Sequence, residues 1–170
     1  MLTVAIDPGI HKCGVAVFDR GGKELLWAGT VKRPRSACHL RPSGARAWVE
    51  MASCVKRELD RRFNIEKNSF DLGVEEMQMD SRTRGRSIHD TMQVQGVVGA
   101  VSDRLSRMPR CAALRSLTPT TWKGNMPKTV MTNRLKAVLT PAERAVIDDR
   151  ATHDAWDAIG IGTYMLRGAL

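Results

Sequence analysis

The chain changes rhythm once, and that change limits the folds open to it. Residues 2–7, 14–18 and 24–31 are three apolar runs separated only by turn signals, Pro8-Gly9 and Asp19-Arg20-Gly21-Gly22. Such spacing predicts an antiparallel meander. From residue 45 onward, strand-length runs alternate with stretches of helical period. Residues 45–63 carry Trp48, Met51, Ala52, Val55 and Leu59 at three- and four-residue steps, the signature of one buried helix face. A short run at 70–74 follows and ends in Glu75. A helix is expected over 88–105, a strand over 112–117, and a loop or irregular turn over 119–128. Helices are expected over 129–139 and 141–147, and a closing helix over 151–166 released by Gly168. A strand reached through a crossover helix lies parallel to its partner. The order β-β-β-α-β-α-β-α therefore implies a mixed sheet with helices on both faces, an α/β architecture. Residues 1–170 have the length of a single domain.

Charge narrows the partners. The 170 residues carry a formal net charge of +9 and a sequence pI near 9.9. A chain this basic associates with anions, nucleic acid before a membrane surface. No apolar run reaches the roughly 18 residues that span a bilayer. The N-terminus lacks a charged-then-apolar leader, so a cytoplasmic location and no membrane partner are expected. The four cysteines, Cys13, Cys38, Cys54 and Cys111, have no zinc-type spacing. They read as reduced packing residues.

Against this basic background stand three acidic positions. Asp7 closes the first apolar run, Glu75 closes the fourth, and Asp154 with Asp157 opens the last helix. Parallel neighbouring strands would bring Asp7 and Glu75 to adjacent carboxyl ends, where ligands of such sheets gather. Asp154 and Asp157, three residues apart, share a helix face. Singly, each has a plain reading as a turn, a strand-end charge or a helix-start acid. Together, four converging carboxylates would protonate unless a cation joined them. Hard divalent ions such as Mg²⁺ or Mn²⁺ take oxygen ligands, and a pair of them hydrolyses phosphodiesters. Glu76 competes with Glu75, but strand alternation sends the two to opposite faces. Glu75 is preferred because it ends the run Leu72-Gly73-Val74.

These segments resemble the RuvC family of Holliday-junction resolvases, within the RNase H-like superfamily. Ala5-Ile6-Asp7-Pro8-Gly9 followed by Gly14-Val15-Ala16-Val17 is similar to the family's first hairpin. Val74-Glu75-Glu76 is similar to its second acidic segment, and Asp154-Ala155-Trp156-Asp157-Ala158-Ile159 to its final D-x-x-D-A motif. The resemblance implies an RNase H-like five-stranded mixed sheet flanked by helices. It implies metal ligation by Asp7, Glu75, Asp154 and Asp157 with two Mg²⁺ (or Mn²⁺) ions, and symmetric nicking of four-way DNA junctions by a homodimer. The family's dimer contact runs through the helix after the glutamate. Here Gly96, Gly99 and Ala100 would form its smooth stripe, or the same stripe would pack within the chain. Met77-Gln78-Met79 stands where the family often has an aromatic residue that wedges into the junction.

Lys123 in Thr-Trp-Lys-Gly and Lys128 in Met-Pro-Lys-Thr resemble the family's loop lysines near the scissile phosphate, and as catalytic groups would neutralise phosphate charge. Arg82, Arg84 and Arg86 follow the Glu75 strand and read as nucleic-acid contacts. Lys56, Arg57, Arg61 and Arg62 are interleaved with acids and read as a solvated face. Of the histidines, His153 beside Asp154 reads as a helix-start residue, and His11 is the weaker candidate for a site role. Trp156, between the two acids, reads as core. Two other readings remain open: a nuclease of broader specificity (flap, fork or structured RNA), and a non-catalytic nucleic-acid-binding module.

Overall fold

The computed structural model describes residues 1–34, 44–77 and 88–168. The opening meander forms as the turns require: β1 (Leu2–Asp7), β2 (Lys12–Asp19) and β3 (Glu24–Lys32) are successive antiparallel neighbours. Helix α1 (Ala45–Phe63) then crosses the sheet and delivers β4 (Phe70–Glu75) parallel to β1. Helix α2 (Ile88–Ser106) delivers β5 (Cys111–Leu117) parallel to β4. The sheet order is β3-β2-β1-β4-β5, a five-stranded mixed sheet. A one-turn helix α3 (Pro119–Trp122), then α4 (Lys128–Val138), α5 (Pro141–Ala145) and α6 (His153–Arg167) complete the chain. The α3 turn lies within the stretch expected to be a loop or irregular turn. Thr118 caps it by accepting the Thr121 N–H at 3.3 Å, and Pro119 occupies its first position. The last helix starts at His153, two residues later than the apolar pattern implied.

Strand alternation divides the core into two layers. Val4, Ile6, Val15, Val17, Leu72 and Val74 face α1 and α2, meeting Met51, Val55, Leu59, Val97, Val101 and Leu105. Ala5, Ala16 and Phe18 face the other way, toward Met131, Leu135, Ile159 and Ile161 of α4 and α6. The two layers differ in side-chain size. Bulky β-branched residues hold α1 and α2 off the sheet, whereas Ala5, Gly14, Ala16 and Gly73 leave a shallow floor under α6. The helix settles into that floor. A Cβ on Gly14 would stand 1.8 Å from the Asp154 carbonyl oxygen, and one on Gly73 would stand 2.1 Å from the Met165 sulfur. Complete burial of Ile159 and Ile161 favours the docking by roughly 1.5–3 kcal/mol each.

The small-residue stripe of α2 divides in two. Gly96 packs inside the chain, where a Cβ would meet the Trp48 ring at 2.2 Å, and Trp48 donates its indole N–H to Gln93 at 2.9 Å. Nothing lies within 4 Å of a Cβ built on Gly99. The described cysteines, Cys13, Cys54 and Cys111, are free thiols. Among the described residues no helix is long and apolar enough to cross a membrane. Arg82, Arg84 and Arg86, along with Cys38 and the Gln78-Met79 pair, lie outside the described residues.

The floor under α6 makes a quantitative expectation. Gly14→Ala places a methyl against backbone that cannot yield, and should lose about 3 kcal/mol, the upper end of overpacking costs. Gly99→Ala enters open space in a helix interior and should gain roughly 0.5–1 kcal/mol. Urea unfolding of the two variants beside the parent chain checks both signs.

Candidate active site

Register carries two of the acids to one place. Ile6 and Val74 are partners on the parallel strands β1 and β4, so the next residues, Asp7 and Glu75, end adjacent strands. Both share the parity of Ala5 and Gly73, so both project to the α6 side. Docking of α6 on Gly14, which pairs with Asp7 across the hairpin, brings the first turn of that helix over the same strand ends. The four acids thus line one cavity of about 470 Å³, together with Lys123 and Lys128. Glu76 does not line it, and its N–H instead donates to the Leu117 carbonyl at 2.9 Å. Of the two candidate histidines, His11 lines the cavity, while His153 is exposed and does not line it. Trp156 is half-buried against the α4 side of the core, with the Lys136 ammonium 5.4 Å from its ring.

Each acid has its own support. Thr152 precedes α6 and donates its hydroxyl to Asp154 Oδ2 at 3.0 Å, while its N–H donates to Thr30 Oγ1 at 2.9 Å. The edge strand β3 thereby steadies Asp154. Lys12 pairs with the same carboxylate oxygen at 2.8 Å. Asp157 is 4% exposed and takes Lys128 on Oδ2 at 2.7 Å. Its other oxygen, Oδ1, is buried without a hydrogen-bond partner; the Lys123 ammonium stands 3.9 Å off. Glu75 accepts the Trp122 indole N–H at 3.2 Å. Lys12 and Trp122 had no role in the sequence reading. The turn after Asp7 gave no sign that Lys12 would begin a strand and share the parity of Gly14. The expectation of a loop or irregular turn over 119–128 hid the short helix that aims Trp122.

The electrostatics follow from this crowding. Burial pushes the Asp7 carboxyl well above its ordinary value, and the negative charges of Glu75, Asp157 and Asp154 push the same way against the Lys128 ammonium. Burial also raises Glu75, opposed by Lys123 and the Trp122 hydrogen bond and reinforced by Asp157. For Lys128, burial favours the neutral amine, but the hydrogen bond and charge of Asp157, with Asp7 and Asp154, outweigh it and raise its pKa. The pocket is short of positive charge.

Whether a divalent metal suits these residues is decided by donor chemistry. Among the described residues, no three acids, histidines or cysteines stand close enough to form a ready-made cage, and ammonium groups occupy Asp154 and Asp157 instead. The donors are all carboxylate oxygens, as Mg²⁺ and Mn²⁺ require. One of them, Asp157 Oδ1, is buried and without a hydrogen-bond partner, a costly condition that a cation would relieve. The residues fit a hard divalent ion.

No protein-family model and no curated protein matches the sequence. Solved structures do match. RuvC from T. thermophilus in complex with a Holliday junction substrate is similar over 98% of this chain and 93% of its own, with a TM-score of 0.65 and 21% identity. A further Thermus thermophilus RuvC structure covers 98% and 94%, at a TM-score of 0.63 and 21% identity. The yeast mitochondrial Holliday junction resolvase Ydc2 covers 98% and 78%, at a TM-score of 0.61 and 12% identity. The chain has the RuvC fold. Its strand order and its two helical layers are those of the RNase H-like architecture of RuvC.

The raised carboxyls make metal-free stability depend on pH. Asp7 and Glu75 hold their protons more tightly when folded than at their ordinary values of 3.8 and 4.5. Their contribution is therefore most favourable below those values and falls as pH rises through and above them. Asp7→Asn removes one such group. In chelator-treated protein the variant should melt above the parent chain at pH 7, with the difference shrinking toward pH 4. Thermal melts across that range check it.

Proposed function

We propose that this protein is a metal-dependent endonuclease that nicks four-way or branched DNA by hydrolysing phosphodiesters. The observation that carries the reading is the meeting of Asp7, Glu75, Asp154 and Asp157 in one cavity of a chain with formal charge +9. A module that only bound nucleic acid would gain nothing from four carboxylates facing phosphate, which argues against the non-catalytic reading. The likeness to a RuvC crystallised with a Holliday junction substrate makes branched DNA the substrate to test first.

In this reading Asp7, Glu75, Asp154 and Asp157 hold two Mg²⁺ or Mn²⁺ ions. Bound there, the ions would supply an activated water and neutralise charge on the leaving oxygen. The side chains have separate tasks. The strand ends and α6 fix the carboxylates that would hold the ions. Lys128, its pKa raised by its acidic neighbours, is an ammonium at neutral pH and would offset phosphate charge at the cavity. Lys123, half-buried beside Asp157, adds a second fixed positive charge at the site of developing negative charge. Lys12 at the cavity rim grips the backbone on the approach side. Arg82, Arg84 and Arg86 remain proposed nucleic-acid contacts, and a homodimer would set two cavities on the two strands of a junction.

A second reading, a nuclease of broader branch specificity, is favoured by one feature. Met77-Gln78-Met79 stands where the resemblance calls for a wedge-forming aromatic. A single assay separates the two. A synthetic four-way junction, a Y-fork, a structured RNA and a linear duplex are incubated with and without Mg²⁺. Paired symmetric nicks confined to the junction are expected; equal cutting of the fork or RNA would favour the broader enzyme. Asp7→Asn should abolish cleavage while junction binding in a gel shift persists. Cleavage surviving that substitution removes Asp7 from the chemistry.

A further inference from the structure

The short helix α3 ends in Trp122, whose indole touches Glu75 and Lys123 of the acidic cavity and, outside it, Gly160 of α6. The side chain is 2% exposed. Its ring lies against α6, filling the space left by Gly160, where a Cβ would stand 2.3 Å from the ring carbon Cζ3. Its N–H donates to Glu75 Oε2 at 3.2 Å. The ammonium of Lys123, the next residue, sits 4.7 Å from the ring centroid. A buried indole N–H needs an acceptor. This one has taken a carboxylate of the cavity, and the carboxylate belongs to β4 while the ring rests on the helix that bears Asp154 and Asp157.

We infer that Trp122 is a positioning residue that sets the orientation of the Glu75 carboxylate toward the cation site and ties β4 to α6. The inference rests on the reading of Glu75 as a metal ligand. A strand-end glutamate has three rotatable bonds and would otherwise sample several orientations. The indole commits one carboxylate oxygen and leaves the other for a cation. The donor itself is held firmly, because Thr118 caps the turn and Pro119 fixes its first residue. Partners that orient a ligand in this way contribute about 10–100-fold to metal affinity. A tryptophan that merely filled space over Gly160 would contribute to stability and nothing to affinity.

Trp122→Phe separates these roles, since it keeps an apolar ring and deletes the donor. Titration calorimetry with Mn²⁺ on the metal-free full chain should show binding weakened about 10-fold or more. On the four-way junction, kcat should fall with KM for DNA unchanged. Trp156→Phe is the control: its ring meets Lys136 rather than an acid, and Mn²⁺ affinity should not move. Unchanged Mn²⁺ affinity in Trp122→Phe, or an equal loss in Trp156→Phe, overturns the inference while leaving the proposed nuclease standing. A parent chain that takes up no Mn²⁺ defeats the cation reading of the cavity itself, and the inference with it. If Trp122→Phe does not fold, Glu75→Gln reads the same contact from its other end. The four tryptophans give four indole ¹⁵N–¹H signals, and Glu75→Gln should move one and speed its exchange with water. Four unmoved signals overturn the inference.

Discussion

The close seating of α6 on the sheet is the constraint from which the site follows. A helix normally rides clear of a sheet because side chains stand between their backbones. Here the strands present Ala5, Gly14, Ala16 and Gly73 upward, and the backbone of Asp154 comes into contact range of the Gly14 backbone. Helix α6 answers with glycines of its own: Gly160 admits the Trp122 ring, and Gly162 admits Phe18. Each helical glycine costs roughly 0.5–1 kcal/mol against alanine. That cost is offset by full burial of Ile159 and Ile161 and by two aromatic rings packed where methyl groups would have stood. A helix held a few ångströms higher would leave Asp154 and Asp157 out of reach of Asp7 and Glu75.

Packing therefore forces together charges that would separate if they could. An ionised carboxylate as buried as Asp157 costs several kcal/mol unless it is paired. The chain supplies partial pairing: Lys128 on Asp157, Lys12 on Asp154, and the Trp122 indole on Glu75. Among the described residues Asp7 has no such ion pair or hydrogen bond, and its pKa is raised well above the ordinary value. The lysines are poor substitutes for a divalent ion. Two of them, Lys12 and Lys128, are about half exposed, so water screens much of what they contribute. Strain of this sort persists only where the rest of the fold over-determines the position, and the two buried layers on either side of β1 and β4 do that.

Legibility in the sequence followed the range of the interaction. Features written in local period were readable: the meander, both crossover helices, and the strand-end placement of Asp7 and Glu75, because alternation and helical spacing are properties of a few consecutive residues. Features made by contact between distant segments were not. Gly14 carried no sign that the Asp154 backbone would rest on it, and Trp122 looked like an ordinary residue of a basic loop. The α2 stripe shows the same limit within one helix. Gly96 and Gly99 are alike in sequence, yet one receives the Trp48 ring and the other faces open space. Only the position of α1 distinguishes them.

Charge imposes an order on the proposed reaction. The exterior is strongly basic and attracts a polyanion over roughly 10 Å at moderate salt. The cavity itself gathers four carboxylates that its lysines only partly offset, and any of them ionised and unpaired would oppose an entering phosphate. Long-range attraction and local repulsion then act on the same backbone, so DNA can dock without its scissile phosphate reaching the acids. In this reading divalent cations held by the carboxylates would remove that repulsion, and Lys12 and Lys128, paired with Asp154 and Asp157, would keep positive charge beside the acids where the phosphate enters.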